Sequence, residues 1–240
     1  MTPLSGVALD VDMDEPVMWQ GRRSEAYQRG LDHLDSAGHL FYCDCTRAML
    51  GAGGACEGRC QPLQSAVGSP RSIRVQVPGD CSIEFTDQIQ GRRASDLGRE
   101  LPDFVVRRKD GLIAYQLAVV VDDAAQAITH VVRGSDLLDS TPRQIFLQQL
   151  LGCPTPHYCH LPLITNPQGQ KLSKQNHAPP LDDETPPANL RSALRFLRQS
   201  EPPAELTSLE QLLAFATGRW APQRVPATLS LPASACGLRL

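Results

Sequence analysis

Apolar residues recur at helical spacing over residues 24–37, where Tyr27, Leu31 and Leu34 fall on one face. Ser24 is the expected N-cap of this helix and Gly38 its stop. Alternation of Ile73, Val75 and Val77 predicts a half-buried strand over residues 72–77, with residues 83–85 as its partner. Residues 103–108 form a further predicted strand, Asp110-Gly111 a tight turn, and residues 112–121 an apolar run ending at Asp122-Asp123. Residues 128–132 suit a buried strand that delivers Arg133-Gly134-Ser135-Asp136. Thr141-Pro142 then opens a helix by the cap-then-proline rule, with Ile145, Leu147, Leu150 and Leu151 as its apolar positions, and residues 157–164 return as a strand. Strand, helix and strand in that order predict a parallel sheet with crossover helices. Beyond Pro180, residues 188–199 (Leu190, Leu194, Leu197) and 208–217 have the pattern of amphipathic helices. The proline- and serine-rich tail from Pro222 is expected to be poorly ordered, and residues 1–23 show no clear element.

Composition changes this picture little. The 240 residues suffice for one large or two small domains, and 41% hydrophobic with 20% charged residues is ordinary for a soluble globular chain. A net charge of −3 leaves an RNA partner open, because a local basic face is enough for folded RNA. No apolar run reaches the roughly 18 residues of a membrane span, and no charged-then-apolar signal opens the chain, so a cytoplasmic protein is expected. There the eight cysteines should be thiols or metal ligands rather than disulfides.

Two stretches carry candidate chemistry. Cys43 and Cys45, then Cys56 and Cys60, are two close pairs bridged by a glycine-rich turn, and four thiols so placed suit a closed, structural zinc (Zn2+) site. The competing reading is four unrelated buried thiols. In the second stretch, residues 161–180, Lys171 and Lys174 flank Ser173 on a loop punctuated by Asn166, Pro167, Gly169, Pro179 and Pro180. Two ammonium groups so spaced can reach round a polyphosphate and offset charge on a leaving pyrophosphate; the plain alternative is a solvated basic turn. Arg133, where a strand gives way to its loop, is sited to hold an anion, or else to pair with Asp136 or Asp139. Arg92, Arg93 and Arg99 make a small basic patch of the kind that is usually solvated. Gly51, Gly53 and Gly54 do not make a dinucleotide fingerprint, and no GxxxxGK[ST] loop occurs.

Three motifs in one order, CDCTR with CEGRC, DGLIAYQLAVVVDD with THVVRGSDLLDSTPRQ, and LPLITNPQGQKLSKQNHAP, together resemble the glutamyl-tRNA synthetase family of class I aminoacyl-tRNA synthetases. The match runs from about Val17 to Pro180, and KLSKQNHA is most similar to the short branch that acts on the queuosine of tRNA(Asp). The resemblance implies an α/β fold: a Rossmann-like parallel sheet, an inserted zinc-binding subdomain and a small C-terminal helical region. Its division would be residues 1–40 and 101–164 for the two halves of the nucleotide-binding fold, 41–100 for the zinc insertion, and 165–240 for the KMSKS-like loop and helical region. It also implies a monomeric ligase that activates glutamate with ATP and Mg2+ and esterifies it onto the queuosine base of tRNA(Asp). By the same resemblance Tyr115 and Arg133 contact glutamate, Lys171 and Lys174 contact ATP with Lys174 catalytic, and Cys43, Cys45, Cys56 and Cys60 bind zinc; the family often has tyrosine at the Cys56 position. A catalytically inactive zinc-containing tRNA-binding fragment, or a tRNA(Glu) ligase without an anticodon domain, are the alternatives. The family's RFAPSP- and HIGH-like front segments have no counterpart here, since His33 and His39 lie in and just after a helix. The expectation is therefore an N-terminally incomplete sheet with one face and edge exposed.

Overall fold

The computed structural model describes residues 17–56, 58, 60, 71–173 and 182–236. Three sheets organise them. β1 (Leu40–Cys43), β2 (Ser72–Gln76) and β5 (Asp103–Arg107) form an antiparallel sheet in the order β1-β2-β5. β3 (Ile83–Asp87), β4 (Gly91–Ser95), β6 (His130–Gly134) and β7 (His157–Leu161) form a second sheet in the order β4-β3-β7-β6. In it β6, β7 and β3 run parallel, and β4 is antiparallel to β3. β8 (Leu163–Thr165) pairs in parallel with β9 (Ser230–Pro232).

The helices are α1 (Ser24–Ser36), the short α2 (Leu97–Glu100), α3 (Tyr115–Ala125), α4 (Thr141–Leu151), α5 (Pro186–Phe196) and α6 (Leu209–Gly218). α1 buries Tyr27, Leu31 and Leu34, as its spacing predicts, and a left-handed Gly38 follows it. Its N-cap is Arg23 rather than Ser24, because the turn at Gln20–Arg22 runs straight into the helix and makes Ser24 its first residue. Burying Leu34, Val75, Val106, Leu117 and Leu147 side by side unites α1, α3 and α4 with the first sheet in one core. Truncating one such leucine to alanine costs about 2–5 kcal/mol. Among the described residues no helix is long and apolar enough to cross a membrane.

Several expectations are corrected. β2 is buried on both faces rather than one, since Arg74 points inward and is neutralised by Asp103 on β5. β3 pairs with β4 and β7, not with β2. A tight turn explains the first pairing: the Asp87 carboxylate accepts the N–H groups of Ile89 and Gln90 and folds the chain back through a left-handed Gly91. The run 112–121 divides, its first residues closing the Gly111 turn onto Arg108 and the rest entering α3. The predicted buried strand at 128–132 lies two residues later, at β6, and is not buried, with Val132 62% exposed. The cause is position: among the described residues β6 is the outer strand of its sheet, so one edge lies open. Thr141 does not cap α4; Ser140 holds the N-cap position, and the Thr141 hydroxyl turns inward. The tail from Pro222 is structured as far as the described residues go, because β9 pairs with β8 and Thr228 and Leu229 accept hydrogen bonds from Gln90 and Ser135.

Candidate active site and metal centre

The C-terminal ends of β6 and β7 lie side by side, with Arg133 opposite His160 and Gly134 opposite Leu161. That is the end of a parallel sheet where a crevice for ligands forms. Arg133 is half-buried there in a network from three elements. Its Nε donates to His160 Nε2 at 3.0 Å, and its Nη2 donates to Thr141 Oγ1 at 2.8 Å and to the Leu137 carbonyl at 3.3 Å. The guanidinium also lies over the Tyr158 ring, 5.4 Å from its centre. No carboxylate pairs with Arg133 among the described residues, so the alternative of a simple ion pair with Asp136 or Asp139 is not realised. With Nε and Nη2 engaged, Nη1 is left as the nitrogen that can take an anion.

Behind Arg133 the ring of His160 is fully buried. Its Nδ1 lies 2.6 Å from Asp87 Oδ2, and its Nε2 must accept from Arg133, which has only donors. The ring is therefore neutral with its proton on Nδ1. Burial lowers the His160 pKa below the ordinary histidine value, and the neighbouring Asp87 carboxylate opposes this only in part. Burial alone would raise the Asp87 carboxyl. Instead the N–H groups of Gln90, Ile89 and His160, with the His160 ring, hold it below the usual carboxylate range. Asp87 thus remains a charged acceptor, His160 a fixed relay, and Arg133 is held in one orientation.

Tyr115 is the first residue of α3 and is 48% exposed. It and Arg133 both lie within electrostatic reach of the Tyr158 phenol, whose pKa is raised chiefly by burial. A bridge fixes their relative placement. Gln116 donates to Ser140 Oγ at 3.2 Å and accepts from Gln144, so the start of α3 is tied to the start of α4, beside Thr141. The structure thus brings Tyr115 and Arg133 to the same end of the molecule. Lys171 joins them: its Nζ lies 2.5 Å from Asp136 Oδ2, three residues beyond Arg133. Lys174 lies outside the described residues.

Away from this crevice the four cysteines converge. The sulfurs of Cys43, Cys45, Cys56 and Cys60 lie within 4.8 Å of one another, all buried, with Cys45 Sγ 3.7 Å from Cys56 Sγ and 3.4 Å from Cys60 Sγ. A tetrahedral zinc with Zn–S of about 2.3 Å requires sulfurs about 3.8 Å apart, so the donor set fits this ion in both chemistry and spacing. Burial pushes the Cys45 thiol up to about 11 and the Cys56 thiol upward as well; a cation would reverse this by taking the thiolates. Both halves of the cluster are pinned to the first sheet. The Cys56 N–H donates to both oxygens of Asp103, each at 2.9 Å, and Ser72 Oγ donates to the Cys43 carbonyl at 3.0 Å.

The profile of "tRNA synthetases class I (E and Q), catalytic domain" matches residues 59–192, more than half of the chain. The chain belongs to this family. It is 47% identical over 232 residues to a glutamyl-Q tRNA(Asp) synthetase from Cupriavidus metallidurans, a match covering 89% of this chain and 71% of that protein. To the protein of the same name from Pseudomonas fluorescens it is 47% identical over 225 residues, covering 92% of this chain and 74% of the relative. Among solved structures, the glutamate-tRNA synthetase of Elizabethkingia anophelis superposes with a TM-score of 0.69 at 22% identity, covering 90% of this chain. A glutamate tRNA ligase from Elizabethkingia meningosepticum gives 0.69 at 21% identity, covering 92%. This chain spans 52% and 53% of those two, so the likeness is one of fold: mixed α/β with the parallel sheet of class I synthetases.

Sequence reasoning singled out Tyr115, Arg133, Lys171, Lys174 and the cysteines; it pointed neither to His160 nor to Asp87, and it read Thr141 as a helix cap rather than as a partner of Arg133. His160 was hidden in an apolar strand. Asp87 signals only its own turn locally, its partner His160 being 73 residues away.

Proposed function

We propose that this protein is a tRNA-dependent ligase that activates glutamate with ATP and transfers it to the queuosine base of tRNA(Asp). The observation that carries the reading is Arg133, fixed at the C-terminal end of β6 by neutral His160 and Thr141, with Nη1 left for an anion. Its support among relatives is a set of proteins bearing that name at 47% identity.

In this reading Arg133 receives a carboxylate of glutamate, and the Tyr115 phenol, presented at the start of α3, adds a donor that orients it. A glutamate carboxylate oxygen attacks the α-phosphorus of ATP, the bond from that phosphorus to the bridging oxygen breaks, and pyrophosphate leaves. Lys171 and Lys174 offset the charge that collects on the departing phosphates, with Mg2+ accompanying the nucleotide. A hydroxyl of queuosine then attacks the activated carbonyl and AMP departs. Holding Arg133 in place beforehand means that little reorganisation accompanies binding. Cys43, Cys45, Cys56 and Cys60 would hold zinc with four protein ligands, and its contribution would be to tie these two cysteine pairs together rather than to activate water. We assign residues 41–100 to this insertion and residues 165–240 to the lysine loop and helical region.

Glutamate-dependent exchange of labelled pyrophosphate into ATP tests the first half-reaction. Exchange that requires glutamate and falls at least tenfold on Arg133→Ala supports the reading; exchange indifferent to glutamate or to Arg133 sinks it.

A further inference from the structure

Lys171 and Asp136 form the contact between the lysine loop and the β6 end, and the detail around it is specific. The backbone of the lysine is fixed. Asn166 Oδ1 accepts the N–H groups of Gln168 and Gln170, Gly169 takes a left-handed turn, and Thr165 and Leu172 tie the two arms together across Lys171. From that fixed backbone the side chain reaches Asp136. At the other end, Asp136 Oδ1 lies 2.6 Å from where a Cβ on Gly134 would stand. A side chain at 134 would press on the carboxylate where it now lies, and on Leu163 Cδ2 at 3.0 Å, so glycine there makes room for it. The pair is half-exposed, 49% for the Lys171 side chain and 37% for that of Asp136, and exposed pairs of this kind contribute little on their own. A polyphosphate carries more charge than a single carboxylate and presents several oxygens to the same ammonium.

We propose that Asp136 is a positioning residue that holds Lys171 in reserve, occupying its ammonium until the phosphates of ATP take it over. The inference rests on the reading of Lys171 as a phosphate contact, and adds that Asp136 competes with the nucleotide and sets its affinity. Gly134 is the third member of the device, making the room that the carboxylate needs.

The test is calorimetric titration of the full chain with Mg-ATP. For Asp136→Asn, which keeps the shape and removes the charge, the expected Kd is about two- to fivefold lower than that of the parent. Gly134→Ala, which displaces the carboxylate without altering it, should shift Kd in the same direction. Lys171→Gln should weaken binding, and in that background Asp136→Asn should no longer tighten it, a result that a purely structural role for Asp136 does not produce. Circular dichroism melting shows that each variant is folded. An unchanged or higher Kd for Asp136→Asn, with binding still sensitive to Lys171→Gln, overturns the reserve and leaves the proposed function standing. ATP binding indifferent to Lys171→Gln overturns both the reserve and the assignment of Lys171. No binding of Mg-ATP by the parent chain overturns the inference together with ATP use by this chain.

Discussion

Replacing His160 with asparagine separates orientation of Arg133 from simple packing. An asparagine amide can still donate to Asp87 from near the position of the ring Nδ1, but nothing then reaches Arg133 Nε, which sits 3.0 Å from the ring Nε2. Hydrogen bonds to charged groups are worth about 1.5–3 kcal/mol. Part of this is recoverable, because Arg133 keeps its bonds to Thr141 and the Leu137 carbonyl. The lost stacking of His160 on Tyr158, with ring centres 6.1 Å apart, works the other way. A net loss of about 2 kcal/mol follows, or about 4–8 °C in Tm for a chain of this size. Function should respond more specifically. A guanidinium freed on one side must be ordered again by the substrate, so about 1–2 kcal/mol of carboxylate binding is forfeited and the KM for glutamate rises about 5- to 30-fold, with the KM for ATP little changed. His160→Gln, whose amide reaches the place of Nε2, should restore much of the glutamate KM. The assay is pyrophosphate exchange at varied glutamate beside a thermal melt. An Asn variant that melts lower yet keeps the parental glutamate KM would refute the orienting role and leave His160 as packing.

Three further outcomes follow from the same structure. Asp103 neutralises buried Arg74 and accepts the Cys56 N–H, so Asp103→Ala should lower stability by about 3–5 kcal/mol and speed zinc loss to a chromogenic chelator. Milder Asp103→Asn should speed zinc loss with a smaller fall in Tm. Asp122 gathers Gln20 Nε2, Arg23 Nε and Tyr27 Oη at 2.9, 2.6 and 2.8 Å, so Asp122→Ala should detach the start of α1 and cost about 3 kcal/mol, read by denaturant unfolding. On the acid side, the folded His160 ring resists protonation while the unfolded ring takes a proton near pH 6.5. The unfolded state therefore binds more protons below that point, and stability should fall as pH drops from about 6.5. Asp87, whose folded pKa is depressed, adds stability that is present above about pH 3.9 and lost as pH falls further. His160→Gln should remove the first of these two losses in pH-dependent melts.

What the chain disclosed by itself was local. Tyr27, Leu31 and Leu34 announce α1, Pro142 announces α4, and the β6–α4–β7 order implies the parallel pairing that is found. The four cysteines stand close enough in sequence for their convergence to be expected. Long-range choices were hidden. Which strand β3 joins depends on Asp87, which shapes its own turn and also binds His160, and no periodicity encodes that. Arg74 looked like an outward residue because its partner, Asp103, lies 29 residues away on β5. Thr141 looked like a cap because caps and inward hydroxyls share residue types, and only the position of Arg133 distinguishes them. The tail seemed loose for its prolines, yet three residues of β9 suffice to pair with β8.

The proposed function turns on where glutamate is placed. Labelled glutamate, ATP and this protein should be incubated with tRNA(Asp) that carries queuosine, with the same tRNA lacking that base, and with queuosine-bearing tRNA(Asp) lacking its terminal adenosine. The account predicts label on the first and third and none on the second, with loss of labelling on Arg133→Ala. Labelling that requires the terminal adenosine and ignores queuosine, or none on any of the three, would contradict it.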